Sequence, residues 1–308
     1  MMRAIVMLGW GCLTMVGCAT LGAGAPKGVV DVIAHRGASA YAPENTLAAF
    51  ALAADQGADW FELDCTLTQD GAVVVIHDDT IDRTTGARGT VAEMTLAEVR
   101  RYDVGSWFGA AFSSERIPTL EEALDLGKSR RIGVYVEIKN SDDDQALMAE
   151  LMRLADGEAL LPGRRDAMME QIAASGSRNL ILTRKTIAAI RERAMERQVV
   201  IQSFSPIVCA VALAEAPELR TELLASSSRN DPLQWTRYLE WLGLLDAAGF
   251  NINGADFSEG LLRDVHAAGR TMAVWTVDDP DEMRAFVRAG VDALITNRPD
   301  VALSVLSR

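Results

Sequence analysis

Acidic residues occur two positions apart on a β-rich run of the sequence. Glu62 and Asp64 lie on WFELDCTLT (60–68), and Glu137 lies on a second such run, GVYVEIK (133–139). Residues two apart on a strand point to the same side. If that side is solvated, the first pair is ordinary surface. If it is buried, the charges need compensation, and the three carboxylates would form an all-oxygen site for Ca²⁺ or Mg²⁺.

Two of the three histidines end other β-rich runs. His35 ends VVDVIAH and is followed by Arg36, and His77 ends AVVVIH. An isolated His-Arg-Gly could simply be a surface turn. However, two imidazoles together with a divalent metal ion and with the side chains of Arg36 and Lys139 suit cleavage of a phosphodiester. One imidazole can take a proton from the nucleophile and the other can give one to the leaving alkoxide, while the cations neutralise the phosphoryl oxygens.

These residues lie near the carboxyl ends of β-rich runs that alternate with helical patterns. Strand candidates occur at 29–35, 60–68, 72–77, 133–139, 199–204, 271–277 and 291–297, with weaker ones at 179–185 and 222–226. Near-continuous apolar strands, each followed by a helix, predict a parallel sheet covered by helices. The number of units and the length of 308 residues favour an α/β fold of the TIM (β/α)8 barrel type. Active sites of such barrels lie at the carboxyl ends of the strands, where Gln202 and Trp275 also lie.

Two segments depart from this alternation. Residues of about 78–118 are rich in turns, and we predict that they form a small insertion after the second-strand region, within a single barrel domain at 29–308. The other segment, 227–250, carries aromatic residues at helical spacing, which indicates core packing or a lid. These residues are Trp235, Tyr238 and Trp241.

The N-terminus has the pattern of a bacterial export signal. Arg3 precedes a short apolar stretch, 4–16, which is too short to span a bilayer comfortably. Cys18 then follows small residues, as in the lipobox of lipoproteins, so 1–17 would be a signal peptide, Cys18 the lipidated residue and 18–28 a flexible tether. We therefore expect an exported lipoprotein anchored to a membrane of the bacterial cell envelope. The alternative is a soluble periplasmic or secreted protein.

The overall charge limits the classes of partner. The net charge of −13 disfavours nonspecific binding to nucleic acid or to anionic membranes, both of which need positive protein surface. We expect no nucleic-acid partner, and membrane contact only through the lipid anchor. An anionic substrate would also need a locally positive site, which a metal, Arg36 and Lys139 could supply.

The ordered motifs of the chain resemble those of the glycerophosphodiester phosphodiesterase family. The similarity is dense from residue 33 to about 139, through AHRGASAYAPENTLAAF, FELDCTLTQDGAVVVIHDDTIDRTTG, IPTLEEAL and VEIK. It resumes at IQSF, VWTV and GVDALITNRPD. The resemblance implies a TIM-barrel hydrolase with a small insertion. It also implies a small glycerophosphodiester as substrate, with sn-glycerol 3-phosphate and an alcohol as products.

The resemblance also implies roles for individual residues. His35 and His77 would be the general base and acid pair, and Arg36 would contact the phosphate. The other residues that line the substrate or phosphate pocket would be Lys139, Gln202 and Trp275. One divalent cation, Ca²⁺ or Mg²⁺, would be bound by Glu62, Asp64 and Glu137.

Alternatives of two kinds stay open from the sequence. A lysophospholipase D-type enzyme would use the same centre on lipids that keep one acyl chain, and a noncatalytic surface lipoprotein could keep the fold as a binding module. For the enzyme, water could attack phosphorus directly, or a glycerol hydroxyl could attack first to give a cyclic phosphate. Both routes use the same two histidines.

Overall fold

The structure is a computed structural model that describes residues 29–139, 147–148, 151, 162–227 and 232–308. The predicted signal peptide, the lipidation site Cys18 and the tether lie outside these residues and stay predictions. Within the described ranges, no helix is both long and apolar enough to cross a bilayer.

Strands of the described residues form one sheet that closes on itself. They are β1 (Asp31–Ala34), β2 (Trp60–Leu67), β3 (Val73–Val75), β4 (Gly133–Ile138), β5 (Val199–Ser203), β6 (Arg220–Ala225), β7 (Gly249–Asn253), β8 (Ala273–Trp275) and β9 (Ala293–Thr296). Strand β3 pairs antiparallel with β2, and the other eight pair in parallel, with β1 joined to both β9 and β2. The predicted TIM barrel is confirmed.

Helices cover the outside of the barrel. In the described ranges they are α1 (Leu47–Gln56), α2 (Asp82–Thr85), α3 (Leu96–Val99), α4 (Leu120–Arg130), α5 (Pro162–Ser175), α6 (Arg178–Glu192), α7 (Pro206–Glu215), α8 (Pro232–Leu244), α9 (Glu259–Ala267), α10 (Pro280–Ala289) and α11 (Pro299–Val305). Their apolar sides pack on the outward faces of the strands in two large clusters.

Local sequence signals fix several helix ends. The Thr46 side chain accepts a hydrogen bond from the backbone N–H of Ala49 at the start of α1, and Gly57 ends that helix in the left-handed conformation, with φ 88°. Asp279 caps α10, with Pro280 at its first position. Polar N-caps and a positive-φ glycine satisfy backbone groups that a helix leaves unpaired at its ends. These ends set where each strand–helix loop begins.

The segment between β3 and α4 has a small apolar cluster separate from the two clusters around the barrel. The segment contains α2, α3 and two short 3₁₀ turns. The buried members of the cluster, the first of which lies on β3, are Val74, Ile76, Ile81, Val91, Val99, Val104 and Ile117. The segment returns to the barrel beside β3, where the backbone N–H of Val75 donates to the carbonyl of Pro118 at 2.9 Å.

Two expectations about strands need correction or completion. The weak strand candidate at 179–185 is wrong, because these residues belong to helix α6, which Ser177 caps. Their apolar residues recur at helical spacing toward α4 and α7, and a short apolar run alone does not distinguish a strand from a buried helix. The candidate at 222–226 is confirmed within β6. Strand β7 was missed by the sequence patterns.

The aromatic residues of the 227–250 segment lie on helix α8 and pack into the core. Trp241 is only 3% exposed. Trp235 and Tyr238 are partly buried against the same cluster, and the Trp235 ring lies 5.9 Å from that of Phe250. Of the two interpretations of this stripe, core packing is the one that the structure shows.

Candidate active site

A cavity of about 210 Å³ opens at the carboxyl ends of the barrel strands. The structure brings nearly all of the predicted site residues to its wall. Those that line it are His35, Arg36, Glu62, His77, Glu137, Lys139, Gln202 and Trp275. Asp64 lies directly beside them, in ion-pair contact with Arg36 and Lys139. Cys18 lies outside the described residues.

Three buried carboxylates form a cluster at one side of the cavity. Glu62, Asp64 and Glu137 each place an oxygen within 4.8 Å of the other two. They meet because β2 and β4 are neighbours in register, with Asp64 opposite Glu137. Burial, followed by the charges of Asp64 and Glu137, raises the pKa of Glu62 well above its usual value. Burial and the charge of Asp64 raise the pKa of Glu137 to about 7.

One oxygen of this cluster lacks a partner. Glu62 Oε2 accepts a hydrogen bond from the backbone N–H of Arg36 at 2.9 Å, whereas Glu62 Oε1 is buried without a partner among the described residues. A buried carboxylate oxygen without a partner costs free energy. Three converging carboxylates, one of them incompletely paired, fit a hard divalent cation with oxygen ligands.

Asp64 is the best-compensated member of the cluster. Asn45 Nδ2 donates to its Oδ2 at 2.8 Å, Lys139 Nζ lies 3.4 Å from its Oδ1 and Arg36 Nε lies 3.3 Å from its Oδ2. Burial opposes ionisation, but the charges of Lys139 and Arg36 outweigh it and lower the pKa of Asp64 to about 2. The cluster therefore keeps one firmly ionised carboxylate beside two that resist ionisation.

His35 is half-buried and directly follows the last residue of β1. Its Nδ1 lies 2.7 Å from Asn297 Oδ1, across the β1–β9 pairing. Burial and then the positive charge of Arg36 lower the pKa of His35 to about 4. The ring is therefore neutral at pH 7.

His77 has a different environment, which is built from charged residues. Its Nδ1 lies 2.7 Å from Asp78 Oδ1, and Arg83 Nε donates to the other oxygen of Asp78 at 2.6 Å. Arg83 also donates two hydrogen bonds to Glu44, at 2.7 and 2.8 Å. Glu44 in turn accepts from Arg36 Nη1 at 2.9 Å. A continuous chain of ion pairs thus joins the two histidine-bearing strand ends.

Several of these partners had no predicted role. Glu44 and Asn45 belong to the quoted motif AYAPENT, and Asp78 and Arg83 belong to HDDTIDRTTG. The motifs therefore carried a signal. Which side chain each residue meets could not be read from spacing, because Glu44 and Arg83 are 39 positions apart.

Another part of the cavity wall contains aromatic and apolar side chains together with Gln202. Trp275 meets Phe204 edge to face, with ring centroids 5.6 Å apart, and its Nε1 donates to the Asn251 carbonyl at 3.3 Å. The side-chain oxygen Oε1 of Gln202 accepts a hydrogen bond from Asn251 Nδ2 at 3.0 Å. Leu224 also lines this wall. The cavity is therefore lined both by charged side chains and by aromatic and apolar ones.

Comparisons with known proteins agree with this geometry. A family model described as the glycerophosphoryl diester phosphodiesterase family matches residues 35–301. The chain belongs to this family. The resemblance seen in the sequence is therefore confirmed, and the chain is a member of a family of phosphoric diester hydrolases.

Individual members of the family align over most of the chain. A glycerophosphodiester phosphodiesterase of Caldanaerobacter subterraneus subsp. tengcongensis is 35% identical over 277 residues, covering 90% of this chain and 98% of the relative. An Oleispira antarctica phosphodiesterase, solved in complex with the product sn-glycerol-3-phosphate, superposes with a TM-score of 0.72 at 26% identity, covering 90% of this chain and 97% of that one. A glycerophosphodiester phosphodiesterase of Agrobacterium tumefaciens gives 0.64 at 28% identity, covering 90% and 100%.

Proposed function

We propose that this protein hydrolyses glycerophosphodiesters to an alcohol and sn-glycerol 3-phosphate, with His35 and His77 as base and acid and with one bound divalent cation. The observation that carries the proposal is the meeting of both histidines, the acidic cluster, Arg36 and Lys139 around one cavity. Family membership and the product-bound Oleispira antarctica phosphodiesterase support it.

The acidic cluster would hold the cation. Glu62, Asp64 and Glu137 would supply oxygen ligands. Glu62 Oε1 accepts no hydrogen bond within the described residues, so it is available to a cation. Ca²⁺ and Mg²⁺ are the ions that such ligands suit. When bound, the cation would add positive charge near the phosphoryl oxygens.

Arg36 and Lys139 would bind the phosphate beside it. Burial opposes their ionisation, but Asp64 and the other carboxylates around them together outweigh it and raise the pKa of both side chains. Both are therefore positively charged at neutral pH. Because they already contact Asp64, they are positioned before the substrate arrives, which reduces the cost of ordering them.

The two histidines would move the protons. His35 is neutral at pH 7 because its pKa is about 4, so it can accept a proton from the attacking hydroxyl group. His77 bonds the Asp78 carboxylate through Nδ1, which fixes the orientation of the ring, and it would give a proton to the leaving alkoxide. Attack by water and attack by a glycerol hydroxyl use this same pair.

The direct test is a coupled assay for released glycerol 3-phosphate. The metal-stripped protein would be given glycerophosphocholine with and without added Ca²⁺ or Mg²⁺. Lysophosphatidylcholine would be tested in parallel by release of choline, because its glycerol phosphate product keeps the acyl chain. We expect metal-dependent release from glycerophosphocholine. Release only from the lysophospholipid would instead favour the lysophospholipase D-type reaction. If protein that binds the metal released product from neither substrate, the proposal would be contradicted.

A further inference from the structure

We infer that Asp278 is a positioning residue that acts through Asn297 to set which ring nitrogen of His35 is free to accept a proton. The inference rests on the proposed function for its catalytic meaning, and on hydrogen-bond geometry for the tautomer itself. Neither Asp278 nor Asn297 lines the catalytic cavity.

The carboxylate of Asp278 is saturated with donors from the end of β9. Its Oδ1 accepts from the backbone N–H of Asn297 at 2.8 Å and from the Thr296 hydroxyl at 2.9 Å. Its Oδ2 accepts from Asn297 Nδ2 at 2.6 Å. An ionised carboxylate can only accept hydrogen bonds. The amide nitrogen of Asn297 must therefore point toward Asp278.

This orientation determines what His35 meets. With its nitrogen toward Asp278, Asn297 turns Oδ1 toward His35 Nδ1, at 2.7 Å. The hydroxyl of Ser39 also lies 2.8 Å from the same oxygen. Because an amide oxygen can only accept, His35 Nδ1 must carry the hydrogen. In the neutral ring the lone pair is then on Nε2.

The free nitrogen is the one that the reaction needs. His35 lines the catalytic cavity, and no group in the described part of the chain bonds its Nε2. A flipped Asn297 amide would turn an N–H donor toward Nδ1 and shift the lone pair to that nitrogen, away from the substrate. Asp278 prevents the flip because its carboxylate can accept a hydrogen bond from the amide nitrogen of Asn297 but cannot bond the amide oxygen.

The arrangement also differs from the one at His77. There a carboxylate bonds the ring directly, at 2.7 Å. At His35 an uncharged amide stands between ring and carboxylate, so the orientation is transmitted without a negative charge next to the ring. That combination suits a base that must start neutral.

The test is Asp278→Asn in the full chain, read by ¹⁵N NMR of the imidazoles at pH 8. The chain has three histidines, so three rings need assignment. The new amide can donate as well as accept, so it no longer dictates the Asn297 orientation. We expect a mixed tautomer at His35, and kcat lowered about 10- to 100-fold with KM changed far less, as for other residues that orient a functional histidine.

A matched control is Asp279→Asn, the same change one position along. Asp279 caps α10 and bonds Asp281 and Glu282 instead of the site, so tautomer and kcat should be unchanged. Asn297→Ala gives a second test, because it frees Nδ1 and should also mix the tautomers, even if Asp278→Asn does not fold. An unchanged His35 tautomer in the folded variants would overturn the inference. Wild-type protein that shows this tautomer but no turnover would refute the proposed function instead.

Discussion

The two ends of the barrel interior both contain buried carboxylates, but they compensate them differently. At the amino-terminal end, Glu222 is 1% exposed and both of its oxygens are paired, Oε1 with Arg220 Nε and Oε2 with Asn251 Nδ2 at 2.7 Å. At the carboxyl-terminal end, Glu62 is equally buried, yet its Oε1 lacks a partner in the described structure. Removing one partner of a paired buried charge destabilises the folded state. A buried carboxylate oxygen without a partner already raises the free energy of the folded state, and a bound cation can lower it again.

The largest expected effect is the loss of turnover when an imidazole is removed from the carboxyl-terminal end of the barrel. We expect His35→Ala and His77→Ala each to lower kcat at least about 1,000-fold, because a proton transfer to or from the reacting atoms is lost. The thermal unfolding midpoint should change little, since neither ring supports the core. Steady-state kinetics at saturating metal, with circular dichroism as the folding control, would check this. Near-normal turnover in either variant would refute the acid–base assignment.

A substitution within the acidic cluster tests whether the unpaired oxygen belongs to a metal site. Glu62→Gln should weaken Ca²⁺ or Mg²⁺ binding about 100-fold, because it replaces a charged ligand by a neutral one. Without metal, the same variant should be at least as stable as the wild type, since one poorly compensated charge is gone. Calorimetric titration and urea unfolding measure the two effects. An unchanged metal affinity would exclude Glu62 as a ligand.

The corresponding change at the other end should have the opposite result. Glu222→Gln leaves Arg220 without its charged partner, and Arg220 is only partly exposed. We expect a loss of about 1–2 kcal/mol in the free energy of unfolding, with kcat within about twofold of the wild type. If Glu222→Gln impaired catalysis more than stability, the division of roles between the two ends would be wrong.

The remaining expected effect is a pH dependence of the stability of the metal-free protein. Burial and Asp64 raise the pKa of Glu137 to about 7, from an ordinary 4.5. Between these values the folded state binds more protons than the unfolded chain, so stability falls as pH rises. We expect a loss on the order of 2 kcal/mol between about pH 5 and pH 8, which Ca²⁺ should reverse. Glu137→Gln should reduce the slope in urea titrations, with Glu62, whose pKa is also raised, supplying the remainder. An unchanged slope would show that Glu137 is not the group responsible.

The sequence predicted the strands that carry the chemistry because they are apolar runs that end in polar residues. It did not predict β7, where Asn251 interrupts the apolar pattern. Asparagine is unusual in strands, and Asn251 is favourable here because it bonds Gln202 and Glu222 inside the barrel. Asn251 is favourable in this strand only because the closed sheet places Gln202 and Glu222 next to it.

The supporting residues of the site were out of reach for a similar reason. Asn297 and His35 are separated by 262 positions and meet because β9 pairs with β1 when the barrel closes. Local spacing carries no information on which strand ends become neighbours in this way. The role of Asp278 follows only once both Asn297 contacts are known.

The segment between β3 and α4 has one more consequence, for how the molecule would lose activity on heating. It has an apolar cluster of its own, and it provides Asp78, the partner of His77, and Arg83, which bonds Asp78. A sub-global opening of this segment would strip His77 of its partners while the barrel stays intact. Inactivation would then precede the main unfolding transition, and the working temperature range would be set by the smaller of the two cooperative units.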